Sequence, residues 1–111
     1  MGIDYAQPGD IVNARPLGAK IGKAKTKTLL KTDEFEVVRL VIHAGREIAA
    51  HLAPGELVLQ CLEGEVEFTA LGKKQKVRPG DLLYLPARVP HSLMATADSS
   101  LLLTILYTLE E

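Results

Sequence analysis

Closely spaced turn residues are the feature of this sequence that most restricts its fold. From Pro54 to Pro90, glycines and prolines recur every four to ten positions. An ordinary helix needs about 11 to 12 uninterrupted residues, so it does not fit comfortably between them. Short strands do fit, and this spacing is typical of an all-β sandwich or barrel. The 111 residues are enough for one such domain.

Alternating hydrophobicity marks individual strands in the chain. Over 65–70, apolar residues share one face of a predicted strand and polar residues share the other. A second predicted strand, 36–43, is apolar on one face and carries Arg39 and His43 on a mixed opposite face. The segment 101–109 is apolar on nearly both faces, which indicates burial by a second layer or by a partner chain.

The beginning of the chain lacks this alternation. We therefore predict an irregular N-terminal arm over 1–25, followed by a β-barrel domain over 26–111. Between positions 11 and 32 there are six basic residues and no acidic one. The net charge of the whole chain is -1, and no aromatic residues alternate with the basic ones. We therefore interpret this stretch as a solvated arm and edge strand, and expect no nucleic-acid partner.

Composition excludes several other classes of protein. A chain that is 47% hydrophobic and nearly neutral is not intrinsically disordered. Its longest apolar runs are far shorter than the ~20 residues that span a bilayer, and we see no secretory signal. We therefore expect a cytoplasmic protein with no membrane partner. The lone cysteine, Cys61, lies in an apolar run, which favours a small core residue over a nucleophile.

Two glycine-bounded segments carry two of the three histidines. They resemble the two sequence motifs of the cupin superfamily, and the whole chain resembles a small single-domain cupin of the cupin-2 type. The matching positions are Gly45, His51, Gly64, Gly80, Pro86 and His91. The resemblance covers residues 40–95 and implies an antiparallel jelly-roll β-barrel of eight to nine strands. Because cupins commonly dimerise, it also implies a homodimer, which the apolar segment 101–109 independently favours.

The resemblance implies a metal centre, yet the sequence departs from the pattern at that centre. Metal-binding cupins present three histidines and one glutamate to a single ion. Here Ala53 stands at one histidine position and Leu57 at the glutamate position, so His51 and His91 remain. Two imidazoles and water make a weak site, whereas catalytic zinc usually has three protein ligands. Zn, Ni, Fe or Mn would therefore bind weakly, and none of these metals is favoured over the others.

Two other side chains offer a third ligand. A one-residue bulge would turn Glu56 inward, and His43 would converge on the site if its mixed strand face lined the barrel. The opposite interpretation places Arg39 and His43 outside the barrel. The alternative function is therefore a metal-dependent cupin enzyme, a dioxygenase or isomerase, with the metal on His51, His91 and His43 or Glu56.

The leading hypothesis from the sequence is a binding module rather than an enzyme, although the sequence leaves activity open. Its barrel would hold a small, largely apolar ligand. The predicted pocket residues are Arg39, His43, His51, Leu57, Cys61, Tyr84 and His91. Tyr84 would also suit the general acid of a metal-free isomerase with a histidine base, but a packing role is favoured.

Overall fold

The computed structural model describes residues 5–107, apart from the side chain of His51. Within that range the chain forms a 3₁₀ turn, Gly18–Lys23, and nine β-strands. The strands are β1 (Lys27–Lys31), β2 (Phe35–Ile42), β3 (Glu47–His51), β4 (Leu57–Glu63), β5 (Val66–Ala70), β6 (Lys73–Val77), β7 (Leu82–Leu85), β8 (His91–Ala95) and β9 (Ser99–Leu106). No helix in 5–107 is long and apolar enough to cross a membrane.

The strands form two antiparallel sheets. The five-stranded sheet has the order β1-β2-β9-β4-β7, and the four-stranded sheet has the order β3-β8-β5-β6. The chain crosses from one sheet to the other between β2 and β3, between β3 and β4, and at later connections up to β9. This arrangement confirms the predicted all-β jelly-roll barrel.

The hydrophobic core lies between the two sheets, and strand alternation decides which residues reach it. Its buried members are Ile42, Leu57, Leu59, Cys61, Val66, Phe68, Val77, Leu85, Leu93, Ala95 and Leu101. On β9, Leu101, Leu103 and Ile105 pack into this core, whereas Leu102 and Leu106 occupy the alternate face. The apolar segment predicted over 101–109 therefore splits into a core face and an outward face, and its last two positions lie outside the described residues.

Gly64 joins β4 to β5 in a conformation that a side chain would not tolerate. Its φ is +85°, and a Cβ at this position would collide with the backbone of Asp98 and Ser99. Only glycine fits such a close approach in the left-handed region. The glycine of the first motif thus keeps β4 in one sheet and β5 in the other.

The N-terminal arm lies along the outer face of the five-stranded sheet. Arg39 is 7% exposed, and its guanidinium donates hydrogen bonds to the carbonyls of Asn13, at 3.1 Å, and Arg15, at 2.9 Å. His43 Nε2 donates to the carbonyl of Ile21 at 3.2 Å. Both side chains therefore fasten the arm to β2 and to the residue that follows it.

Glu63 at the end of β4 binds the same arm from a neighbouring strand. Its carboxylate accepts hydrogen bonds from the backbone N–H groups of Leu17, at 2.7 Å, and Gly18, at 3.0 Å, and from the hydroxyl of Ser100. Burial raises the pKa of Glu63, but these hydrogen bonds outweigh burial and hold the pKa below its ordinary value of 4.5. Glu63 is therefore an ionised anchor at neutral pH.

Candidate functional site

The backbone brings the two motif histidines to paired positions. His51 ends β3 and His91 begins β8, and the two residues are direct partners in the antiparallel register. A register shift between Ile48 and His51 precedes the pair. The positions that the sequence singled out from two distant motifs are thus neighbours in the four-stranded sheet.

Two contacts set the orientation of the His91 ring. His91 is 6% exposed, and its Nδ1 donates a hydrogen bond to the carbonyl of Val89 at 3.0 Å. The ring also stacks on Phe68, with 5.5 Å between ring centroids and an angle of 9° between ring planes. In the neutral imidazole, this hydrogen bond assigns the proton to Nδ1 and leaves the lone pair on Nε2.

Leu57 places an apolar surface where metal-binding cupins have a carboxylate. The residue is 2% exposed and belongs to the core cluster. Among the side chains that the structure describes, which exclude that of His51, no three of the types His, Cys, Asp and Glu gather closely enough to hold an ion. The described residues therefore do not fit a three-ligand metal centre of the usual kind.

Neither proposed replacement ligand points into the barrel. His43 contacts the carbonyl of Ile21 in the arm. Glu56 is exposed, and its carboxylate accepts a hydrogen bond from the hydroxyl of Tyr84 at 2.9 Å. The structure gives no support to His43 or Glu56 as the third ligand, because alternation carries His43 outward and the β4 register, regular from Leu57 to Cys61, has no bulge that would turn Glu56 inward.

Two of the predicted pocket residues, Arg39 and Tyr84, have contacts outside the core. Arg39 is held under the arm, on the opposite face of β2 from the core residue Ile42. Tyr84 is 57% exposed, and its neighbour Leu85 points into the core instead. The hydrogen bond that the Tyr84 hydroxyl donates to the Glu56 carboxylate raises the pKa of Tyr84. The hydroxyl is therefore bonded to Glu56 at the surface, while other atoms of Tyr84 line a cavity described below.

Cys61 is a core residue in the structure. It is 1% exposed and lies within the aliphatic cluster. Burial raises the pKa of its thiol to about 11, so the thiol stays protonated at neutral pH. Cys61 therefore contributes packing at the back of the barrel interior and offers no nucleophile.

A cavity that the sequence analysis missed lies between β5, β6 and β7. We call it the seam cavity; its volume is about 100 Å³. Its lining residues are Phe68, Ala70, Leu71, Lys73, Gln75, Leu83, Tyr84 and Leu85. Phe68 both lines this cavity and stacks on the imidazole of His91. A larger groove of about 480 Å³ lies between the arm and β1, but it contains no predicted site residue.

Comparison with known proteins agrees with this fold. The family model for the cupin domain matches residues 38–107. A search of curated proteins found no match. Among solved structures, a conserved protein of unknown function from Streptococcus pyogenes superimposes with a TM-score of 0.74 at 22% identity, covering 99% of this chain and 100% of that one.

Two further structures support the same assignment. A cupin superfamily protein from Desulfitobacterium hafniense has a TM-score of 0.76 at 19% identity, with 93% of this chain and 100% of that chain covered. An RmlC-like cupin from Desulfovibrio desulfuricans has a TM-score of 0.72 at 27% identity, with 87% and 97% covered. The family match spans more than half of the sequence and the fold agrees throughout. The chain belongs to the cupin family.

Proposed function

We propose that this cupin is a small-molecule-binding module whose ligand occupies the seam cavity and rests against Phe68. The observation that carries the proposal is the cavity itself, which has apolar walls from both sheets and polar residues at its opening. Concave apolar sites with a few polar groups are where small ligands usually bind. Phe68 also stacks on His91, so one aromatic ring contacts both the cavity and the motif histidine.

The character of the walls favours an uncharged ligand body. Phe68 is 1% exposed and Leu85 is 3% exposed, so the inner wall of the cavity is continuous with the core. An ion placed against such a wall would lose hydration without gaining ligands. Apolar groups placed there gain roughly 25 cal/mol for each Å² of apolar surface removed from water.

Native mass spectrometry of the untagged protein tests this function. We expect a bound or added small molecule to appear as a discrete mass increment. Ala70→Leu should remove that increment, because Ala70 lines the cavity and the larger side chain fills it. Thr69→Leu is the matched control, since Thr69 is the exposed neighbour on the alternate face of β5. Retention of the ligand by the Ala70 variant would place binding elsewhere.

A metal-dependent enzyme, a dioxygenase or isomerase, is the second candidate, and one observation favours it. Positions 51 and 91 are paired in the register, so two histidines belong to one small region. The same spectra test this candidate through the metal content of the protein. A full equivalent of Zn, Ni, Fe or Mn that is lost in both His51→Ala and His91→Ala would support it and would contradict the binding module.

We also propose that two copies associate through the outer face of the five-stranded sheet. Leu82, Tyr84 and Leu106 lie on this face and are 68%, 57% and 39% exposed. In the register of this sheet, Val58 on β4 lies between Tyr84 and Thr104, and Gln60 lies between Leu82 and Leu102. Exposed apolar patches of this kind mark association surfaces, and a two-fold dimer buries the same patch on both copies.

A further inference from the structure

The inner face of β6 changes from apolar to polar along the strand. Val77, Gln75 and Lys73 alternate onto one face, where Gln75 pairs with Phe68 and Lys73 pairs with Ala70. Val77 is 3% exposed and belongs to the core, but Gln75 and Lys73 are exposed. Polar residues at positions that face a core are avoided unless they serve a function.

The exposure arises because the barrel wall is open beside β6. β6 is the last strand of the four-stranded sheet and β7 is the last strand of the five-stranded sheet. Within 5–107, no backbone ladder joins these two edges. The seam cavity lies at this opening, with Phe68 and Leu83 behind it and Lys73 and Gln75 in front. A ligand can therefore reach the cavity laterally, between the two sheets.

The polar groups at the opening are available to a ligand. Neither the Lys73 ammonium nor the Gln75 amide forms a side-chain hydrogen bond or ion pair with any other residue in 5–107. An ammonium group supplies up to three donors, and a charge-assisted hydrogen bond to a carboxylate is about twice as strong as a neutral one. One cation in front of an apolar recess thus complements a molecule with an apolar body and one anionic end.

We infer that the ligand of the seam cavity is a small monocarboxylate with a compact apolar body. The body packs on Phe68 and Leu83, and the carboxylate accepts hydrogen bonds from Lys73 and Gln75 at the opening. This inference rests on the proposed function, because it specifies the ligand class of the same cavity. A volume of about 100 Å³ limits the body to a short branched chain or a small ring.

Isovalerate and its neutral isostere isovaleramide are suitable probes. Each is titrated into the full-length protein while backbone amide shifts are followed by NMR. We expect both probes to shift resonances of cavity residues, and isovalerate to bind more tightly by up to about fivefold, the upper end of the range for one exposed ion pair. Lys73→Gln should abolish this preference by weakening isovalerate alone. Lys74→Gln should preserve it, because Lys74 carries the same charge on the opposite face of β6.

The outcomes separate this inference from the function on which it rests. If neither probe shifts cavity resonances, both the binding module and its ligand class are overturned. If both probes bind equally to the wild type and to Lys73→Gln, the binding module stands and the carboxylate preference is overturned. Equal effects of Lys73→Gln and Lys74→Gln would also overturn it, since they would reflect the general charge of β6. Aggregation of Lys73→Gln with an unchanged preference would assign Lys73 to protecting the edge strand.

Discussion

The outer faces of the two sheets follow the same alternation but meet different surroundings. On the five-stranded sheet, Arg39 is 7% exposed and Glu63 is half-buried, because the N-terminal arm covers them. On the four-stranded sheet, Glu47, Thr69 and Lys74 remain exposed to water. The comparison teaches that alternation separates the two faces of a strand but does not determine what covers the outer one.

The covering arm is held mainly by polar contacts. Arg39 donates to the carbonyls of Asn13 and Arg15, and Glu63 accepts from the N–H groups of Leu17 and Gly18. Each charged group thus meets backbone groups that would otherwise need water, which is the condition for burying charge at low cost. The arm and the two charged side chains therefore depend on each other.

The largest expected effect concerns the uncovered part of the five-stranded sheet. Leu106→Asp and Leu82→Asp should each convert a dimer into a monomer, because both positions are exposed on the outer face of this sheet, on β9 and β7. Sedimentation velocity at matched concentrations measures the change in mass. Met94→Asp is the control, since Met94 is 37% exposed on the outer face of the other sheet. An unchanged assembly for both leucine variants would refute the proposed interface.

The next effect comes from removing the acidic anchor of the arm. Glu63→Ala should lower the free energy of unfolding by about 2 kcal/mol, because Leu17, Gly18 and Ser100 all lose their acceptor. Chemical denaturation measures this loss. Glu67→Ala, an acid removed from the outer face of the four-stranded sheet, should change stability far less. Equal losses in the two variants would mean that the arm contacts contribute little.

A smaller effect is expected from pH. Because the folded pKa of Glu63 lies below its ordinary value of 4.5, ionisation of this residue stabilises the fold. That stabilisation is present above pH 4.5 and is lost as the pH falls through the lower, folded pKa. The thermal stability of the wild type should therefore fall more steeply below pH 4.5 than that of Glu63→Gln. Parallel plots of melting temperature against pH for the two proteins would show that other carboxylates dominate the loss of stability in acid.

The smallest effect is expected at His43. His43→Ala removes one hydrogen bond to the arm, so stability should fall by about 1 kcal/mol. Isovalerate binding and metal content should stay at wild-type values, because the side chain lies outside the barrel. Calorimetric titration measures isovalerate binding, and elemental analysis measures metal content. A loss of isovalerate binding or of metal in this variant would place His43 in the functional site.

Local sequence signals predicted the fold and the inert cysteine. Glycine and proline spacing restricts the elements to short strands, and alternation over 65–70 selects the core residues of β5. The apolar run around Cys61 predicts a buried thiol, and burial does raise its pKa. These features depend on near neighbours in the chain, which is why they could be predicted.

The features of the candidate site that the sequence did not predict have a common physical origin. The mixed face of β2 was recognised, but its contacts are with residues 13–21, more than 20 positions earlier in the chain. No local pattern tells whether such a face lines a pocket or lies under an arm. The seam cavity was missed because β6 looks like an exposed hairpin strand by itself. Its register with Phe68 and Ala70 shows that Lys73 and Gln75 face inward.

The stacking of Phe68 on His91 turns the imidazole into a natural reporter. A ligand in the seam cavity would rest against Phe68, whose ring is nearly parallel to that of His91, with 5.5 Å between the ring centroids. Aromatic ring currents shift nearby protons strongly, so any ligand that tilts Phe68 should move the carbon-bound ring proton resonances of His91. The occupancy of the cavity can therefore be followed in unlabelled protein through the ring proton resonances of His91.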